Sequence, residues 1–175
     1  MLSQGNLCTV RDRKSAILVL GLGNVLQGDD GAGIHVIREL QNRQNANEPG
    51  LPGEVLLRDG GTIGLSLLAE IEECAVLIVV DAMEMGAEPG TIGVFEDLEI
   101  KAQLSGKKRS AHEVALADLL AAAELTGCLP ARRALVGIQP GRIGWSLEAD
   151  PQVAAAIPQA CETITRLIER WVAHA

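Results

Sequence analysis

The sequence has 175 residues, enough for one domain with its own core and too few for two ordinary ones. A chain of that size buries roughly 70% of its unfolded surface, so a disulfide or metal staple is not needed. With 47% apolar residues, a net charge of −8, one Phe, two Trp and no Tyr, it reads as an aliphatic globule ill-suited to phosphate backbones or to stacking on bases and flavins.

Residues 1–15 carry charges without an apolar run before a cleavage site, so they are expected to be a flexible leader, not a signal peptide. A single domain is expected over residues 16–175. The aliphatic run 16–20, ending at Gly21-Leu22-Gly23, predicts a buried parallel strand. Over 29–44, Ile34, Ile37 and Leu40 recur at helical spacing. Residues 54–58 predict a second strand stopped by Asp59-Gly60-Gly61, and 63–73 a second helix with Leu67, Leu68 and Ile71 on one face. A third strand, 75–80, ends at Asp81. Glu88-Pro89-Gly90 predicts a turn, and 91–95 a short strand suited to an antiparallel edge. The charged stretch 97–111, with Lys101, Lys107, Lys108 and Arg109, is assigned no element. A helix over 112–125 follows, stopped by Gly127 and Pro130, then a fifth strand over 133–138 ending at Gln139-Pro140-Gly141. Asp150 and Pro151 open a last helix that runs to Ala173, with Pro158 either kinking it or opening a separate one.

Strand and helix in alternation predict an α/β fold, a three-layer α/β/α sandwich on a mostly parallel, about five-stranded twisted sheet. Ligands in such folds bind beyond the carboxyl ends of the strands. The apolar runs are too short to span a membrane. Cys8, Cys74, Cys128 and Cys161 form no C-x-x-C pair and read as reduced thiols of a cytoplasmic protein. Without coiled-coil heptads, a monomer is expected.

The loop 21–33, G-L-G-N-V-L-Q-G-D-D-G-A-G, imitates two nucleotide motifs and satisfies neither. Leu26 occupies the third glycine position of G-x-G-x-x-G. Counted from Gly23 the spacing becomes that of a phosphate loop, but Asp29 and Asp30 stand where Lys and Ser or Thr belong. Two carboxylates repel phosphate, so the loop offers oxygen ligands instead. The plainer reading is that one of these aspartates caps the next helix.

Asp59 and Asp81 end the second and third strands at the rim that also carries Asp30. Carboxylates gathered there repel one another unless a cation or proton lies between them. Turn-making is the favoured role for Asp59, function for Asp81. Of the three histidines, His174 lies next to the terminus and His35 inside a helix, whereas His112 starts a helix that can point back to the rim. Asp30, Asp81 and His112 would make a two-carboxylate, one-imidazole set with open positions, suited to Ni, Zn or Fe(II) and not to the all-oxygen shell of Mg or Ca. Neither G-x-S-x-G nor H-E-x-x-H occurs, so a hydrolase here would work through metal and carboxylate.

These residues resemble the hydrogenase maturation proteases, from about residue 17 to 170. After the glycine loop come D-G-G-T (59–62), V-D-A-M-E-M-G-A-E-P-G (80–90), His112 in S-A-H-E, and G-I-Q-P (137–140), in the family's order. The resemblance implies an endopeptidase that removes the C-terminal extension of the nickel-loaded large-subunit precursor of a [NiFe] hydrogenase. It also implies that Asp30, Asp81 and His112 are both catalytic and metal-contacting, with Asp59 supporting the cleft. Ni(II) would be presented by the precursor instead of being permanently bound, with other divalent transition ions substituting in vitro. No nucleic acid or membrane partner is implied. Some family members carry Glu at the position of Asp30, whose shorter side chain alters the approach to metal. The alternative is a non-catalytic nickel-precursor checkpoint or metal-binding module on the same fold.

Overall fold

Aliphatic runs form the sheet of the computed structural model, which describes residues 16–46, 50–62, 64–105 and 110–173. Its strands are β1 (Ile17–Leu22), β2 (Val55–Gly61), β3 (Val76–Ala82), β4 (Ile92–Glu96) and β5 (Arg132–Ile138). They lie in the order β2-β1-β3-β5-β4, with β4 antiparallel at one edge and the other pairs parallel. The leader 1–15, His174, Lys107, Lys108 and Arg109 lie outside the described residues, as do Cys8 and the first residue of the expected helix 63–73.

Side chains alternate across each strand and so divide the core in two. Ile17, Val19, Ile78, Val80, Val136 and Ile138 pack under α1 (Ala32–Asn45) and α5 (Pro151–Val172). Leu18, Leu20, Leu77, Val79 and Leu135 pack on the opposite face under α2 (Leu68–Glu73), α3 (Leu98–Leu104) and α4 (Ala111–Leu125). The three expected layers are present.

Several boundaries differ from the sequence reading. Residues 98–104, inside the stretch assigned no element, form α3, because Ile100 and Leu104 bury one face while the charges point outward. The helix expected from residue 29 begins at Ala32, after a 3-10 turn over Asp29–Gly31. The third strand does not stop before Asp81 but continues through Ala82, paired to β5. The last helix is single: Asp150 accepts the Gln152 N–H at its start, and the chain remains helical through Pro158. Pro158 cannot donate to the Ala154 carbonyl, but both residues are exposed, so water can serve the freed oxygen.

Candidate active site

β1 leads to β2 on one side and to β3 on the other, so the chain reverses direction across the sheet between β1 and β3. Ligand sites in open α/β sheets form outside the strand ends at such a point. The loop that leaves β1 holds Asp30, and β3 carries Asp81 at its penultimate residue.

Glycine brings the loop into place. A Cβ on Gly33 would fall 2.3 Å from the Val80 carbonyl oxygen, and one on Gly23 (φ +133°) would fall 1.9 Å from that of Asp30. The glycines that imitate a nucleotide motif therefore let the start of α1 rest directly on the strand ends.

Asp29 and Asp30 have separate tasks, and neither caps α1: no side-chain cap is present there. Asp29 is fully buried. Its Oδ2 accepts the N–H groups of Gly141 (2.8 Å) and Arg142 (2.7 Å), and its Oδ1 accepts that of Asp150 (2.6 Å). It thereby ties the loop between β5 and α5 to the loop after β1. Asp30 accepts the Asn24 N–H through Oδ2 at 3.1 Å and turns Oδ1 towards His112.

The pleat of β3 decides where Asp81 points. Leu77 and Val79 face the α4 side, so Asp81, two residues on, faces it too. His112 is the second residue of α4, whose start is fixed by reciprocal bonds: Glu113 N–H to Ser110 Oγ (3.1 Å) and Ser110 N–H to Glu113 Oε2 (3.2 Å). His112 Nδ1 lies 3.8 Å from Asp30 Oδ1 and 3.8 Å from Asp81 Oδ1. All three residues are buried.

Both Asp81 oxygens and His112 Nδ1 are buried without a hydrogen-bond partner. Burial first, then the charges of Asp30 and Glu113, hold the Asp81 carboxyl well above the usual carboxylate range, with a smaller opposing pull from the Ala82 backbone. Orphaned buried groups of this kind are rare and call for a proton or an external partner. Among the described residues, no three His, Cys, Asp or Glu side chains form a metal cage of their own. Donors about 2.0–2.2 Å from one ion stand within ~4.4 Å of each other, a span that includes both 3.8 Å separations. A hollow of about 400 Å³ between α1 and α5, beside Leu40, Arg43 and Glu162, touches none of the three.

The profile of the hydrogenase maturation protease family (HycI) matches residues 34–167, a span that includes Asp81 and His112 and begins just after Asp30. The chain belongs to the hydrogenase maturation protease family. It is 39% identical to the hydrogenase expression/formation protein HupD of Rhodobacter capsulatus, over 89% of this chain and 72% of that one. It is 36% identical to the hydrogenase 2 maturation protease of Escherichia coli, over 85% and 87% of the two chains. The hydrogenase maturating endopeptidase HybD of E. coli superposes with a TM-score of 0.80 at 34% identity, covering 89% of this chain and 93% of that one. The protein is thus a peptidase of hydrogenase maturation.

Within this maturation protease, Asp30, Asp81 and His112 come together, while Asp59 and His35 stay apart from them. Asp59 is half exposed and accepts the Gly61 N–H at 3.0 Å, but it does not stop the strand as expected: β2 runs on through Gly61, with Asp59 paired to Gly21 and the irregularity taken up as a bulge opposite Gly21 and Leu22. His35 is half-buried on α1, where burial lowers its pKa. Two residues of the rim went unrecognised in the sequence. One is Asp29 as a clamp. The other is buried Gln139, whose Oε1 accepts the N–H groups of Met85 (2.7 Å) and Ala87 (3.3 Å) and whose Nε2 donates to Glu84 (3.2 Å). Gln139 holds the loop after β3 against the end of β5. The S-x-x-E spacing at Ser110 was the available signal for the fixed start of α4; the two clamps have no comparable short-range signature. No helix among the described residues is long and apolar enough to cross a membrane.

Proposed function

We propose that this maturation protease removes the C-terminal extension of a [NiFe] hydrogenase large-subunit precursor, and that nickel already seated in the precursor is what it recognises. The observation that carries this reading is the set of orphaned atoms, Asp81 Oδ1 and Oδ2 and His112 Nδ1, facing Asp30 at the sheet rim. Two carboxylates and an imidazole suit a divalent transition ion, and an ion brought by the substrate would satisfy all three groups at once. Its charge would also favour the ionised form of Asp81 that burial now opposes.

Contact with that ion would fix the scissile peptide bond beside Asp30 and Asp81. Holding the reactants in register supplies much of the rate in such reactions. A carboxylate oxygen at the rim then takes a proton from the attacking water as its oxygen bonds to the carbonyl carbon, and returns that proton to the nitrogen as the C–N bond breaks, leaving a new carboxyl and an amine. Four cysteines scattered along the sequence with no C-x-x-C pair suit a reducing compartment such as the cytoplasm as the setting.

The test is incubation with nickel-loaded and nickel-free precursor, following loss of the tail by mass. Cleavage of the loaded form alone is expected. Equal cleavage of both would reject nickel recognition, and metal-dependent complex formation without any released peptide would point to a checkpoint.

A further inference from the structure

The segment 142–148 reads R-I-G-W-S-L-E, and its pattern is inverted for a surface strand. Ile143, Trp145 and Leu147 are exposed, Trp145 at 86%, whereas the small residues Gly144 and Ser146 between them turn inward. The inward side is pinned to the loop after β1. Gly144 N–H donates to the Gln27 carbonyl (3.3 Å), Ser146 N–H to that of Leu26 (3.1 Å), and Gly28 N–H to that of Ser146 (2.8 Å). Exposed Leu26 therefore sits on the adjoining segment, four residues before Asp30. Asp29 holds both ends of the 142–148 loop through Gly141, Arg142 and Asp150.

A loop tip that projected apolar side chains by accident would be a mobile one. This one is bonded along its length and clamped at its ends by a fully buried carboxylate. Isolated exposed apolar residues are ordinary, but here four lie on two joined segments, and one of them is a largely exposed tryptophan, a residue type enriched at interface hot spots. The chain has only one other tryptophan, Trp171, and that one is buried.

We propose that Leu26, Ile143, Trp145 and Leu147 form the ledge on which the folded body of the large-subunit precursor docks through an apolar surface, while its tail enters between Asp30, Asp81 and His112. The assignment of occupant rests on the precursor reading above, and on the continuity of the ledge with the catalytic rim. Leu26 belongs to the same loop as Asp30, four residues before it, so a substrate held on the ledge is held beside the trio. The ledge supplies affinity for the precursor, and the buried trio supplies the chemistry.

The experiment uses the full-length enzyme and a nickel-loaded [NiFe] hydrogenase large-subunit precursor, comparing wild type with the double variant Trp145→Ser, Leu147→Ser. Both positions are exposed, so the melting temperature should be unchanged. The variant should bind the precursor roughly 10- to 30-fold more weakly, with KM raised by the same factor and kcat changed less than about threefold. In a Trp171→Phe background, Trp145 emission should shift to the blue on adding precursor. An unchanged Kd and KM in the double variant, with wild-type cleavage intact, would overturn the ledge alone. Binding by the wild type without cleavage, still weakened by the double variant, would overturn the protease reading and leave the ledge standing. No binding by the wild type would sink both.

Discussion

His112 Nδ1 and Asp81 Oδ1 stand 3.8 Å apart, beyond hydrogen-bond reach, and neither atom has another hydrogen-bond partner. Folding has brought them together from a helix start and a strand end and left them unsatisfied. His112→Ala, Asp81→Asn and Asp30→Asn should each keep the fold and lower precursor cleavage by about 10²–10⁴-fold. Tail release followed by mass, with circular dichroism as the control, checks this. Wild-type turnover in His112→Ala would remove the imidazole from the mechanism.

Asp81 should also carry a stability penalty that depends on pH. Its folded pKa is raised, chiefly by burial, from an ordinary value of 3.8. Between that value and its raised one, the native state keeps a proton that the unfolded chain has released. Stability therefore falls as pH rises through this window and levels off above it. Asp81→Asn escapes the penalty. It should melt above wild type at neutral pH, by about 2–4 °C for each kcal/mol relieved, with the gap closing as pH drops towards 4. Thermal melts across pH measure the gap, and a variant less stable than wild type at pH 7 would contradict it.

Asp29→Asn should act differently from Asp30→Asn although the residues are adjacent. It loses charge-assisted acceptance of three backbone N–H groups, a destabilisation of about 2–4 kcal/mol. Hydrogen exchange should accelerate at Gly141, Arg142 and Asp150. Protection unchanged at those amides would show that the clamp is not what holds the loop.

Gly33→Ala tests the close approach of α1 to the strands. The added methyl would meet the Val80 and Leu22 carbonyl oxygens at 2.3 and 2.4 Å, so α1 must retreat. A loss of about 1–3 kcal/mol is expected, with a fall in cleavage because Asp30 moves with the helix start. Denaturant titration and the cleavage assay read the two effects separately.

The layers and most strands were legible because burial on both faces leaves continuous aliphatic runs, as in β1 and β3. α3 was not, since its seven residues are too few for a periodic pattern and its charges dominate the composition. The extra length of β3 was hidden for a related reason: a carboxylate at Asp81 looks like the end of a strand, yet the backbone continues to pair with β5. Asp30, Asp81 and His112 could be singled out as unusual residues at strand ends and a helix start. Asp29 and Gln139 could not, because the groups whose N–H bonds they accept are backbone amides far along the chain, and amides carry no sequence signal.

The reach of the Asp29 clamp has a consequence for synthesis. Its acceptor bonds span 112 to 121 residues, so the rim loops cannot lock until Asp150 has left the ribosome. At roughly 5–20 residues per second, the wait is on the order of ten seconds. A nascent chain that has not yet released Asp150 therefore holds Asp30 without its neighbouring brace, and the rim takes its shape only once that loop has emerged.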